Sequence, residues 1–488
     1  MLKEEEFSCR RYETVSKKVS YLRHEKIFER FFSTNIKSLR DSFPQIILII
    51  LFSCLLIWLG YFTSRQSFGQ LFGLYSALFV IYFFLIKAVK NPNEIIFVGI
   101  FFRLLLLFSI PALSDDFYRF VWDGRLLING LNPYTILPSE FVQSIDFQRV
   151  IGDKSIFQYL NSPNYYTVYP PLNQFIFAIS SWLSQGNLFG NVVWLRAFIL
   201  LAEVGTLVLI APDGGAKNSF SDTTKFTKGE LRKASPSAAA VGSLYAFNPL
   251  VILELTGNLH FEAVVIFFLF LAYRIGKKNL LLSAFFFACA VSTKMLPLIF
   301  IPLVIKHLGL NKGLIYCSII GFITFVFFTP FIDKLLVEKL FSSVNLYFQK
   351  FEFNASIYYL VRGIGFKIFG YNIIATAGKV LAFLTFSGIC LISWKNKNLF
   401  LGALGVLTLY FAMATTVHPW YASTLVAVAI FTRFRYSIIW SYLIFLSYAT
   451  YQTSLYQENL WLVFVEYSLV LGVMIYELKN LKVIPKHS

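Results

Sequence analysis

Charge is scarce in this chain. Asp, Glu, Lys and Arg make up 14% of its 488 residues, against roughly 25% in soluble domains. The acids are the rarer sign, 26 against 43 basic residues. Cysteine is also sparse: Cys9, Cys54, Cys289, Cys317 and Cys390. All but Cys9 lie in apolar runs and none shows metal-ligand spacing, so neither a disulfide framework nor a zinc site is expected. No nucleotide-binding fingerprint occurs. The first apolar run starts after about forty polar residues, so no secretory leader is expected. The net charge of +17 suggests nucleic acid, but the basic residues cluster at the ends of apolar runs. That is the positive-inside pattern of a membrane protein, and no nucleic-acid partner is expected.

What the chain has is apolar length. It is 57% hydrophobic with a mean hydropathy of +0.64. Runs of about 15–20 residues recur from Pro44 onward and do not alternate with period two, so they read as helices rather than barrel strands. The expected fold is an all-α polytopic bundle of about fourteen spans. The spans are Pro44–Phe62, Phe68–Ile86, Ile95–Leu113, Asn191–Ala211, Ala238–Leu253, Phe261–Ile275, Leu280–Thr293, Met295–Leu310, Gly313–Ile332, Ile373–Ser393, Leu399–Thr416, Pro419–Phe431, Tyr436–Ala449 and Leu460–Glu477.

Residues 1–43 hold ten Lys and Arg and are assigned to the cytoplasm. Residues 44–113 form the first three spans. Residues 114–190 are then a folded extracytoplasmic loop with short interfacial helices. Residues 191–478 form the remaining bundle, interrupted by a basic cytoplasmic loop at 212–236, and 479–488 are a cytoplasmic tail. The run "PPLNQFIFAISSWLS" is too short to span and reads as an interfacial or re-entrant helix.

With this topology the unusual polar residues sort to the outer face. They are Asp115, Asp116, Arg119 and Asp123 in "SDDFYRFVWDGRLLINGLNPY"; Glu254, Asn258, His260 and Glu262 in "ELTGNLHFE"; Lys294; Asn354 in "FNAS"; and His418, Trp420 and Tyr421 in "HPWY". Polar groups next to lipid are costly, and their gathering on one side points to one site built from several loops. A helix from Asp115 to about Gly130 places Asp115, Asp116, Arg119 and Asp123 within an arc of about 100°, with Phe117, Val121 and Ile128 as a greasy back.

Each feature also has a plainer reading. Ser114 and the aspartates can cap the helix, with Asp115 and Arg119 as an i,i+4 pair. His260 can be a hydrogen-bonded turn residue, Lys294 can snorkel, and Trp420 can belong to an interfacial aromatic belt. Tyr169 in "YPP" can belong to a turn that starts a helix, since proline suits the first helical position. "NGLNPY" should end the acidic helix, with Gly130 left-handed.

"SDDFYRFVWDGRLLINGLNPY", "YPPLNQFIFA", "NPLVILELTGNLHFEA", "STKMLPLIFIPL", "FNASIYYLVRG" and "HPWY" follow one another as in the bacterial GT-C mannosyltransferases. The chain resembles that family, and more distantly the GPI and dolichol-pathway enzymes, from about Ile95 to Tyr421. The resemblance implies an inverting hexosyltransferase of the cytoplasmic membrane, working on its outer side. Its donor would be a polyprenyl-phosphate sugar, and its acceptor a glycan or glycolipid. Asp115 or Asp116 would be the general base, with Lys294 and either Arg119 or His260 near the phosphate. It leaves room for a divalent cation, Mg or Mn, at Asp115 and Asp116. The chain departs from the family in having Glu262 where Asp is common and Leu259 where Gly is common. The alternative class is a flippase or transporter of a lipid-linked sugar.

Overall fold

The computed structural model describes residues 43–211, 238–453 and 456–482. The cytoplasmic loop expected at 212–236, the 1–43 segment save Phe43, and the tail beyond Lys482 lie outside the described residues. Among the described residues the chain is helical, and the one β pairing is an isolated parallel bridge between Phe353 and Thr416. Two compact units divide at Phe52 and Ser53, and the candidate residues all lie in the second.

Among the described residues, six helices are long and apolar enough to cross a membrane: Phe43–Phe62, Phe68–Ala88, Leu188–Ile210, Leu310–Phe331, Ile374–Lys395 and Leu460–Asn480. At 1.5 Å per residue such lengths match a ~30 Å hydrocarbon core. Their outer faces expose bulky apolar side chains, among them Phe322, Phe325, Phe383 and Trp461. In water such a surface would aggregate; in a bilayer it is solvated. The chain is therefore an integral membrane protein.

The remaining expected spans are shorter or broken. Ile95–Leu113 was expected to be continuous, but the helix Pro92–Leu104 stops there and gives way to turns closed by Leu106 N donating to Arg103 O and Leu107 N to Leu104 O. Val251–Gly257 is a π-helix, and the chain bends by 108° before Glu262–Gly276. Leu280–Thr293 ends at Lys294, and the chain resumes as a 3₁₀ turn at Leu296–Phe300. The break after Leu104 lies in apolar sequence, where hydropathy does not mark it; the bend before Glu262 and the end at Lys294 fall where polar residues divide the expected spans. Irregular backbone at such depth is tolerated where protein buries it.

Leu188–Ile210 is the most enclosed of the six, with half of its apolar window buried. It carries two fully buried charges that organise the bundle. Glu203 accepts from Arg103 Nε at 2.7 Å and from the Tyr245 hydroxyl at 2.7 Å. Arg103 also donates to the carbonyls of Gly99 and Ala246. Arg196 donates to Thr256 O at 2.8 Å, Gly257 O at 2.9 Å and Leu107 O at 2.7 Å. These carbonyls lie at the C-terminal end of the π-helix and in the turns after Pro92–Leu104. Both positions precede segments that carry the candidate residues.

Candidate active site

The acidic helix runs Asp116–Ile128. Ser114 Oγ accepts from Asp116 N at 3.3 Å, so Ser114 caps the first turn and the aspartate carboxylates make no cap bond. The end closes as a Schellman motif: Leu131 N donates to Leu126 O and Gly130 N to Leu127 O, with Gly130 at φ +74°.

This helix is not the two-faced surface helix expected from its pattern. Phe117 and Val121 are buried, but so are Arg119, Trp122, Asp123 and Gly124, and Ile128 is exposed. The short helices Pro138–Phe141, Phe147–Val150 and Lys154–Gln158 supply Phe141, Phe147 and Phe157 against Trp122. The helix Pro171–Ser184 covers the other side, with Phe120 stacked on Phe177 at 4.7 Å. The fit is tight at Gly124, where an added Cβ would stand 2.3 Å from both Phe177 O and Ser181 Oγ.

The pairings also differ from the expected one. Arg119 does not take Asp115; its Nε donates to Asp123 Oδ1 at 2.8 Å, four residues on. Its Nη1 reaches the carbonyls of Ser162 and Tyr165. Asp123 also accepts from Gln174 at 3.0 Å. Arg119 and Asp123 are both almost fully buried, so they join the loop to the two helices. Tyr169 takes part in the same packing. Its carbonyl accepts from the Tyr134 hydroxyl at 2.7 Å and its ring meets Phe120 and Phe177 edge-on.

Asp115 and Asp116 remain at the open N-terminal end. Asp115 Oδ2 pairs with Arg65 at 2.5 Å, and both side chains are about 30% exposed. Asp116 Oδ1 accepts from Asn161 at 2.6 Å. Burial raises the Asp116 carboxyl above the usual carboxylate range, with Glu262 and Asp115 pushing the same way; the Asn161 bond and the positive charge of Lys294 oppose it.

A circuit of contacts joins the dispersed candidates. From Asp115 it passes to Arg65, whose guanidinium lies 5.1 Å from the Tyr451 ring centroid. Tyr451 meets Phe353 at 6.3 Å, and Phe353 stacks on His418 at 4.9 Å. His418 and His260 both stack on Trp420, at 4.4 and 3.7 Å. His260 Nε2 stands 3.5 Å from Glu254 Oε2. Glu254 accepts from Asn258 at 3.2 Å and from the Tyr448 hydroxyl at 2.7 Å. Asn258 Oδ1 accepts from Leu113 N at 3.3 Å, which returns the path to the acidic motif.

Lys294 is bound to this circuit through an ion pair with Glu262 and through Tyr421, whose ring centroid is 4.4 Å from Nζ. Burial, with Lys294 adding to it, lowers the His418 imidazole to about 3, so His418 is neutral near pH 7. Asn354 lies one residue from Phe353 but faces elsewhere. Its amide reaches Glu466 at 3.2 Å and its backbone N–H donates to Glu458 at 2.5 Å. Burial pushes Glu458 up to about 7.

Arg65, Asn161, Tyr448, Tyr451 and Glu458 were missed from the sequence. Leu259, noted as a departure from the family's glycine, sits at φ +64°. A left-handed residue there explains why glycine suits the position.

Among the described residues no three His, Cys, Asp or Glu side chains form a group that could hold a metal. Asp115 already has a guanidinium on it and Asp116 an amide, a donor set that does not fit a resident divalent ion. No chemical step is routed through one.

The fold and these contacts define a polytopic helical membrane protein whose chain breaks converge on an acidic motif. Residues 50–213 match the N-terminal domain model of the alpha-(1->6)-mannopyranosyltransferases of the MptA/B family. Residues 146–358 match the GPI transamidase subunit PIG-U. No curated protein and no solved structure gives a match. The chain is thus distantly similar to GT-C mannosyltransferases, as its motifs suggested, and the first match supports a membrane glycosyltransferase.

Proposed function

We propose that this chain moves a mannosyl group from a polyprenyl-phosphate donor to a hydroxyl of a glycan or glycolipid, on the outer side of the cytoplasmic membrane. The observation that carries the reading is the mannopyranosyltransferase match, because the matched segment includes Asp115 and Asp116. The two residues also stand at the open end of their helix rather than in its packed part.

Asp116 is the base. Asp115 is engaged by the Arg65 guanidinium, whereas Asp116 has a neutral amide donor and a burial-raised proton affinity. The acceptor hydroxyl gives its proton to Asp116 as its oxygen bonds to C1 of the sugar. The C1–O bond to phosphate breaks, and polyprenyl phosphate leaves with the electron pair. One displacement inverts the anomeric centre, and nearby cations stabilise the phosphate as its charge grows. Lys294, across the circuit, is one such cation.

The test supplies labelled polyprenyl-phosphate-mannose to membranes containing wild type, Asp115→Asn or Asp116→Asn. Asp116→Asn should lose transfer by ~10²–10⁴-fold and Asp115→Asn by less. Full transfer by Asp116→Asn at normal expression rejects the base. Lipid movement without any glycosyl product from wild type would favour a transporter. Replacing the donor sugar with glucose or arabinose tests mannose.

A further inference from the structure

The cations beside the acidic motif are not equally available. Arg119 is 2% exposed and is held by Asp123, Ser162 and Tyr165. Lys294 is 32% exposed, but it is packed on Tyr421 and paired with Glu262, which is 2% exposed and would be stranded if the lysine left. Arg65 differs from both. It lies in the turn between Phe43–Phe62 and Phe68–Ala88, three residues beyond the end of a helix long and apolar enough to cross a membrane. Its ion pair with Asp115 uses one nitrogen, and about a quarter of its side chain is exposed. The other guanidinium nitrogens are left to take a second anion. The Tyr451 ring, its centroid 5.1 Å from the guanidinium carbon, adds a contact that does not involve Asp115. A planar guanidinium also offers paired donors that match phosphate oxygens.

Resting on the glycosyltransferase reading above, we propose that Arg65 binds the phosphate of the lipid-linked donor through the guanidinium nitrogens that Asp115 leaves open, so that it bridges the two anions. Two negative groups, Asp115 and the phosphate, would otherwise meet at one end of the acidic helix. Arg65 is the cation that can reach a phosphate while keeping its present partner. Its place in the sequence, 50 residues before Asp115, hides this role from motif reading.

The test measures binding of farnesyl phosphate and of farnesol to purified full-length protein in a neutral detergent. Arg65→Gln should weaken farnesyl phosphate at least tenfold and leave farnesol unchanged. Arg65→Lys should fall between, because it keeps the charge and loses the fork. Unchanged farnesyl phosphate binding in a folded Arg65→Gln protein overturns the proposal. So does an equal loss of farnesol, which would mean a collapsed tail site. Phosphatidylglycerol added as competitor separates the two phosphate sources. If it displaces farnesyl phosphate from wild type with equal affinity, Arg65 serves bulk headgroups and the donor assignment fails. Transfer by Asp116→Asn is measured in parallel. Its persistence would reject the base while leaving the binding result to stand.

Discussion

Gly124→Ala tests whether the acidic helix is positioned by its seat on Pro171–Ser184. An added Cβ would lie 2.3 Å from the Phe177 carbonyl oxygen and 2.3 Å from Ser181 Oγ, where ordinary contact begins near 3.4 Å. A carbonyl in a helix cannot swing aside, and Ser181 Oγ is already the acceptor for Asn191 at 2.8 Å. The two helices must therefore part by about 1 Å, an overpacking that costs ~1–3 kcal/mol. Asp116 begins the same helix two turns earlier and moves with it. A misplacement of ~1 Å can cost ~10²-fold in rate. Thermal melting should drop, and labelled-mannose transfer per folded molecule should fall by about that factor. Gly130→Ala is the control. It strains a left-handed residue with no atom near the new Cβ, so it should lower stability by ~1–2 kcal/mol and leave transfer per folded molecule unchanged. A Gly124→Ala protein that melts and transfers like wild type would refute the claim that this contact places the base.

Three other outcomes are expected. The Asp116 carboxyl is raised above its unfolded value, so its contribution to stability is present in full below about pH 4 and is lost as pH climbs through the folded value. Asp116→Asn should thus melt higher than wild type at pH 7 and not at pH 3, and wild-type transfer should decline on the acid side sooner than an ordinary carboxylate would dictate; matching melting curves at both pH values would contradict this. Glu203→Ala strands the buried Arg103 and should cost ~3–5 kcal/mol, read as lost expression or a collapsed melting transition. Leu259→Gly relieves ~1–2 kcal/mol of left-handed strain but removes a fully buried leucine worth ~2–5 kcal/mol, so it should be net destabilising, and a gain in melting temperature would show that the strain is the larger effect.

Much of the helical layout was legible. Phe68–Ala88 and Leu188–Ile210 are unbroken apolar runs, and such runs permit little besides a helix. The 14-residue helix from Pro171 and the left-handed Gly130 followed from local backbone rules. The interruptions at 254–260 and at Lys294 were legible too, because polar residues mark them. The break after Leu104 was not: residues 105–108 are as greasy as the helix beside them, and Arg196, capping the Leu107 carbonyl from another helix, reveals why the chain turns. The helices Leu336–Lys350 and Ile357–Phe369 went unseen because neither is apolar enough to mark a span. Many of the polar residues picked out from the sequence meet in the circuit, but their pairings were not legible. Asp116 meets Asn161 and Asp115 meets Arg65, partners 45 and 50 residues away. No periodicity encodes such distances.

The Arg103–Glu203 pair has a consequence for how the protein is made. The two residues are 100 positions apart, and Tyr245 follows 42 later. When Pro92–Leu104 first enters the membrane, the carboxylate that neutralises its arginine does not yet exist. Arg103 stands in the last turn of that helix, where an uncompensated arginine opposes insertion by less than the ~2.5–3.5 kcal/mol it costs at a helix centre. The nascent segment therefore has reason to wait at the insertion machinery or the membrane surface until Leu188–Ile210 is synthesised. That later helix then acts as a latch: its arrival draws the early segment inward, and with it the turn that leads to the two aspartates.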